Sequence, residues 1–130
     1  MSLQVVLIED NTDHVYLIKS LLETYEEIGD VIVFNDAESA LAGLVSTNEK
    51  NETVLPDFII LDLKLPRMSG LDLLAKLRES ENGKDTPVFV LTSSDRTQER
   101  KRSEDLGVLK YFVKPLTEEN MEEILQSISR

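Results

Sequence analysis

The sequence predicts an α/β fold in which a doubly wound parallel sheet of five strands alternates with five helices. Three observations predict it. Short runs rich in Val, Ile and Leu recur at strand length along the chain. Four of the five are nearly continuous in apolar character, the pattern of strands buried on both faces. The segments between them carry apolar residues at helical spacing.

The first run, Gln4–Ile8 (QVVLI), is followed by Val15, Ile18, Leu22 and Tyr25, which fit one face of a helix. The second, Val31–Phe34 (VIVF), precedes Ala37, Ala40, Leu41 and Leu44. After the third, Phe58–Leu61 (FIIL), come Leu71, Leu74 and Leu77, with Ser69 or Gly70 suited to start that helix. The fourth, Val88–Leu91 (VFVL), leads into RTQERKRSEDL, which offers only Leu106 and Ser103 to a core before Gly107 ends it. This fourth helix is expected to be held loosely, a property of elements that move. The fifth run, Leu109–Val113 (LKYFV), gives way to Thr117, Glu119 and Asn120, a helix opening, and then to Met121, Ile124, Leu125 and Ile128. Ser46–Pro56 (STNEKNETVLP) reads as a polar surface loop, and residues 1–130 read as one domain.

Composition removes several function classes. A chain of 130 residues with 41% hydrophobic and 30% charged content is ordinary for a soluble globular protein. It holds no cysteine, which excludes disulfide frameworks, thiolate zinc sites and cysteine nucleophiles. No apolar stretch approaches the ~20 residues a membrane helix needs, and MSLQVVLIED lacks the basic start of a signal peptide. A cytoplasmic setting is expected. The formal charge of −11 argues against a nucleic-acid partner, because phosphate backbones are bound by clustered Lys and Arg.

In an open α/β sheet, ligands bind in the crevice beyond the carboxyl ends of the strands. Glu9 and Asp10 follow the first predicted strand, Asp62 the third, Thr92 and Ser93 the fourth, and Lys114 the fifth. Asn35 and Asp36, after the second, read as a turn and helix cap. Three neighbouring carboxylates repel one another unless a cation compensates, and an oxygen-only site suits Mg²⁺, with Mn²⁺ as a substitute. An aspartate carboxylate can also attack phosphorus to form an aspartyl phosphate. A metal, an ammonium and a hydroxyl would then neutralise and position the phosphoryl oxygens.

Glu9-Asp10, the run ILDLKLPRMSG around Asp62, the LTSS segment at Thr92 and the YFVKP segment at Lys114 together resemble the receiver domain of two-component response regulators. All stand in family order over essentially the whole chain. The resemblance, which extends to the chemotaxis regulators, implies a flavodoxin-like receiver fold with strand order 2-1-3-4-5. It implies that Asp62 is the phospho-acceptor, and that Glu9, Asp10, Asp62 and the backbone carbonyl of Lys64 bind Mg²⁺. Thr92 matches the hydroxyl that turns toward the phosphoryl group, Lys114 the lysine that pairs with it, and Tyr111 the aromatic switch. The bond before Pro115 is expected to be cis. The polar segment before the third strand also resembles that of small regulators paired with bacterial phytochromes.

The implied function is that of a signalling domain, catalysing only its own phosphorylation and dephosphorylation. A sensor histidine kinase or phosphotransfer protein would donate the phosphoryl group. Moving Thr92 would vacate space for Tyr111, changing the face formed by helix four, strand five and helix five for a downstream protein. With the sequence ending at Arg130 there is no room for an output domain, so the receiver either acts alone or is cut from a longer protein. Basic Arg96, Arg100, Lys101 and Arg102 on helix four and acidic Glu118, Glu119, Glu122 and Glu123 on helix five read either as solvated faces or as a homodimer contact. His14, the sole histidine, reads as a surface residue on a solvated turn. Two rival classes are an aspartyl phosphatase of the haloacid dehalogenase type and a phosphorylation-independent interaction module. The phosphatases place a second acid two residues after the nucleophile, where Lys64 stands here.

Overall fold

The computed structural model describes residues 2–45 and 54–128. Five parallel strands form one sheet in the order β2-β1-β3-β4-β5, where β1 is Leu3–Ile8, β2 Ile28–Phe34, β3 Phe58–Leu61, β4 Val88–Thr92 and β5 Lys110–Val113. The intervening helices are α1 (Thr12–Leu22), α2 (Ala37–Val45), α3 (Gly70–Arg78), α4 (Thr97–Asp105) and α5 (Glu118–Ile128). Fold class and strand order are therefore as the resemblance implies. Most of the loop expected over Ser46–Pro56 lies outside the described residues.

The apolar runs are continuous because both faces of the sheet are covered. Side chains alternate along a strand. Val6, Ile8, Ile59, Leu61, Val88 and Val90 accordingly pack on one side with Ala40, Leu44, Leu73, Leu74 and Leu77 from α2 and α3. Their neighbours Val5, Leu7, Phe58, Ile60, Phe89 and Leu91 pack on the other with Ile18 and Leu22 from α1 and Met121 and Ile124 from α5. Each such fully buried aliphatic or aromatic side chain contributes about 2 kcal/mol by leaving water.

Element ends differ from the sequence reading where polar residues interrupt the pattern. β2 begins at Ile28, three residues early, because Gly29 and Asp30 break its apolar run while it pairs as an edge strand with β1. α1 ends at Leu22, so Tyr25 reaches the same core from the following turn. Leu109 precedes β5, yet its N–H donates to the Val88 carbonyl at 2.9 Å.

Caps and close approaches fix the loops that matter for the site. Ser69 caps α3, its hydroxyl accepting from the Asp72 N–H at 3.1 Å. Thr117 and Asn120 bond reciprocally at the start of α5, at 3.0 and 3.2 Å. α4 buries only Ser103, while Leu106 just beyond it packs partly on the core, and its N-cap residue Arg96 makes no side-chain capping bond. Its C-terminal end is held differently. Gly107 takes φ +81°, which favours glycine. The Arg78 guanidinium donates to the carbonyls of Leu106 (2.8 Å), Gly107 (3.2 Å), Gly83 (2.8 Å) and Thr86 (2.7 Å).

Gly70 starts α3 directly against the end of β3. A Cβ there would lie 2.4 Å from the Asp62 carbonyl and 2.7 Å from Leu63 Cα, both backbone atoms that cannot step aside. Gly70→Ala is expected to cost about 2 kcal/mol in urea unfolding and to shift the Asp62 and Leu63 amide resonances. Wild-type stability with unmoved resonances would show that the turn has slack.

Candidate functional site

Parallel strands place their carboxyl ends side by side, and the register brings the end of β1 level with that of β3. Ile8 pairs with Leu61, so Glu9 and Asp62 leave the sheet together. The Asp62 N–H donates to the Ile8 carbonyl at 3.0 Å, extending the ladder by one residue. Glu9 is fixed from the other side, its N–H donating to the Phe34 carbonyl at 3.0 Å and its carbonyl accepting from the Asn35 amide at 3.1 Å. Across the sheet, the Lys114 N–H donates to the Thr92 carbonyl at 2.8 Å. The Lys114–Pro115 bond is cis.

The Lys114 ammonium lies at the centre. Its Nζ is 2.6 Å from Glu9 Oε1 and 3.0 Å from Asp62 Oδ2. The other Asp62 oxygen accepts from the Lys64 N–H at 3.0 Å, and Glu9 Oε2 accepts from the Asn11 N–H at 3.1 Å. Glu9 and Asp62 are both buried, whereas Asp10 and the Lys64 side chain are exposed. Carboxylate oxygens of Glu9, Asp10 and Asp62 lie within 4.8 Å of one another. Three carboxylates against one ammonium leave a net charge of −2 on hard oxygen donors, which fits a divalent cation.

Burial pushes the Glu9 carboxyl above the ordinary range, more than the bonds from Lys114 and the Asn11 N–H pull it down. For Lys114 the balance is reversed. Burial favours losing the proton, but hydrogen bonds to Glu9 and Asp62 and their charges raise it above the usual lysine value. One ammonium thus serves two acids.

Thr92 is fully buried, and its hydroxyl oxygen has no hydrogen-bond partner among the described residues. Two residues on, the Ser94 carbonyl accepts from the Tyr111 hydroxyl at 2.8 Å, and the Ser94 hydroxyl donates to Glu99 of α4 at 2.8 Å. Tyr111 is only 8% exposed, with the Arg100 guanidinium 5.1 Å above its ring. The aromatic switch position is therefore seen in one arrangement, with the ring turned in. Tyr111 is already inside while the Thr92 hydroxyl stands unpaired, because Ser94 and Arg100 hold it there.

Other contacts enter that sequence reasoning did not supply. His14 is not a purely solvated histidine: its Nδ1 lies 2.9 Å from Lys114 Nζ and 3.8 Å from Glu9 Oε2. Arg67, at φ +64°, ties the turn after β3 to α2 through Asp36 and Glu38, each 3.5 Å away. Asp36 is a helix cap, accepting from the Ser39 N–H at 2.7 Å. The pattern alone gave no cue to these pairs, since their partners lie on other elements.

Removing Lys114 exposes the charge imbalance. Lys114→Met is expected to lose about 3 kcal/mol in urea unfolding at neutral pH, because two buried carboxylates lose their counter-charge, and millimolar Mg²⁺ should restore part of it. Glu9 already lies above the usual carboxyl value, so the folded chain holds a proton that the unfolded chain releases, and stability falls as pH rises through that window. The deficit of the variant should therefore narrow as pH is lowered toward the carboxyl range. A deficit independent of pH and Mg²⁺ would contradict this account.

Residues 5–126 match the family described as response regulator receiver domain. The probable methanogenesis regulatory protein FilR2 of Methanothrix harundinacea is 32% identical over 95% of this chain and 79% of its own length. Among solved structures, the phosphorylated cyanobacterial phytochrome response regulator RcpA is 30% identical with a TM-score of 0.82, over 98% of this chain and 91% of that one. The Mn²⁺-bound form of response regulator Rcp1 is 28% identical with a TM-score of 0.80, over 97% of this chain and 91% of that one. Rcp1 itself, from Synechocystis, is a curated relative at 29% identity over 95% of this chain and 84% of its own length. With the strand order, the acid cluster and the lysine already in place, the match over nearly the whole chain is decisive: the protein belongs to the response regulator receiver domains, the phospho-accepting signalling domains of two-component systems.

Proposed function

We propose that Asp62 accepts a phosphoryl group from a phosphohistidine on a sensor histidine kinase or phosphotransfer protein. The observation that carries this reading is one arrangement. A buried carboxylate is held by the Lys114 ammonium and the Lys64 N–H, and at the same edge of the sheet lies the buried Thr92 hydroxyl, without a partner among the described residues. An Asp62 oxygen attacks phosphorus, the bond from phosphorus to the donor's imidazole nitrogen breaks, and that nitrogen keeps the electron pair.

Lys114 then exchanges a carboxylate contact for a phosphoryl oxygen, and the Thr92 hydroxyl gains the partner it lacks. Glu9, Asp10, Asp62 and the Lys64 carbonyl would hold Mg²⁺, or Mn²⁺ in its place, a reading supported by the Mn²⁺-bound relative. When bound, the cation supplies positive charge against the carboxylates and the phosphoryl oxygens.

The donor approaches beside Lys114. A groove of about 330 Å³ opens there, with Leu17, Ile18, Pro115 and Leu116 as its apolar walls. Leu17 is 62% exposed, so an apolar partner surface has a face to cover. Output leaves by the opposite route. A pull on Thr92 is passed along the β4–α4 turn to Ser94, whose two bonds engage Tyr111 and Glu99, and so reaches the α4–β5–α5 face. Phosphorylation favours the inward Tyr111 over any outward alternative, a shift of population.

Intact-mass measurement after acetyl phosphate and Mg²⁺ tests the central step. One phosphoryl group should be gained by wild type and none by Asp62→Asn. No adduct in either would favour a phosphorylation-independent module, and steady turnover of unrelated phosphoesters would favour a phosphatase. The basic residues of α4 and the acids of α5 also support a homodimer across this face, although Arg100 already pairs within its own chain with Asp95 at 3.2 Å and Glu104 at 3.8 Å. Sedimentation with beryllofluoride should then show a dimer that weakens at high salt. A monomer under every condition would leave the two charged patches as solvated surface.

A further inference from the structure

An ammonium group has three protons to donate and nothing to accept with. One on Lys114 goes to Asp62 Oδ2 at 3.0 Å, while Glu9 Oε1 stands 2.6 Å from the ammonium as an ion pair. A second points to His14 Nδ1 at 2.9 Å. Because Lys114 can only donate, Nδ1 is the bare nitrogen of that imidazole and the ring proton sits on Nε2.

His14 is itself fixed in place. It lies in the first turn of α1, and its backbone N–H donates to the capping Asn11 side chain at 3.0 Å. The Asn11 backbone N–H in turn donates to Glu9 Oε2 at 3.1 Å. The segment from Glu9 to His14 is therefore knit into one unit that presents an acid and an imidazole to the same ammonium. A lysine stem has four rotatable carbons, so two contacts leave Nζ free to swing about the line between them. A third contact from another direction fixes it at a point.

The residue type matters as well as the contact. A carboxylate at this position would add a fourth negative charge to a site that already carries a net −2. A neutral imidazole supplies an acceptor without adding charge.

We propose that His14 is a positioning residue for Lys114, its Nδ1 taking a hydrogen bond of the ammonium beside the one to Asp62 and holding Nζ where it meets the phosphoryl group on Asp62. The role rests on the phospho-acceptor reading of Asp62. It acts through Lys114 and requires no contact between the imidazole and the phosphoryl group.

Phosphorylation rates with acetyl phosphate and Mg²⁺ in His14→Leu and His14→Asn provide the test. The Asn side-chain oxygen sits at the same bond distance from the backbone as Nδ1, whereas Leu offers no acceptor. His14→Leu should be slowed about tenfold, the scale of one lost hydrogen bond to a charged group, and His14→Asn should recover to within about threefold of wild type. Nitrogen-15 spectra of the wild-type imidazole should show a proton on Nε2 and a bare Nδ1, a signature that Lys114→Met removes. Three results would each overturn the role: a wild-type rate in His14→Leu, an Asn variant as slow as Leu, or a protonated Nδ1. Absence of any adduct in wild type would instead overturn the phospho-acceptor reading and the positioning role with it. That pattern differs from an adduct forming equally fast with and without the imidazole.

Discussion

The structure turns on one ammonium group shared by two buried acids. Carboxylates as sheltered as Glu9 and Asp62 are costly to keep charged, and the Lys114 contacts at 2.6 and 3.0 Å offset that cost only in part. The chain arranges much else around this contact. β1, β3 and β5 must run parallel and stop at the same edge, the Asp62 N–H must extend the ladder to Ile8, and the Lys114 backbone must bond to Thr92. A site left with net negative charge and an unpaired hydroxyl is built for incoming groups that bring the complementary charge and acceptors.

The same reasoning explains which parts of the molecule could be read from the sequence. Sheet and helix order were legible because burial on both faces writes an unbroken apolar run, as in FIIL and VFVL, and because helix faces recur at their own period. Asp62, Glu9 and Lys114 stood out because each directly follows a strand and Thr92 because it ends one, so that one rule about strand ends collects them. The residues that escaped depend on distance through space. His14 and Lys114 lie 100 positions apart, and a histidine near the start of a helix gives no sign of which side chain will meet it. Arg78 escaped for another reason: all four of its acceptors are backbone carbonyls, which every residue carries.

Between site and surface runs a short relay of unlike bonds. Thr92 lies inside the sheet, Ser94 just past it, and Ser94 is bonded to Tyr111 through its carbonyl and to Glu99 through its hydroxyl. Arg100 covers the Tyr111 ring while pairing with Asp95. Burial pushes the Tyr111 hydroxyl above its usual value, and the nearby Glu99 and Asp95 push the same way, so it remains a donor. The inward tyrosine is thus held by contacts to the β4–α4 segment, and any event that moves that segment changes the face β5 shares with its neighbours.

α4 is attached unequally at its two ends. The carbonyls just past its C-terminus are pinned by the Arg78 fork, whereas its first turn lacks a side-chain cap and is tied by the Ser94–Glu99 bond and the exposed Arg100–Asp95 pair. A rigid rod fastened at one end and tethered lightly at the other behaves as a lever, with its fulcrum at Leu106 and Gly107. Its lightly held end is the one nearer the carboxyl edge of the sheet, where Thr92 ends β4. Displacement of that end would tilt the helix about its held end, a change of angle more than of position.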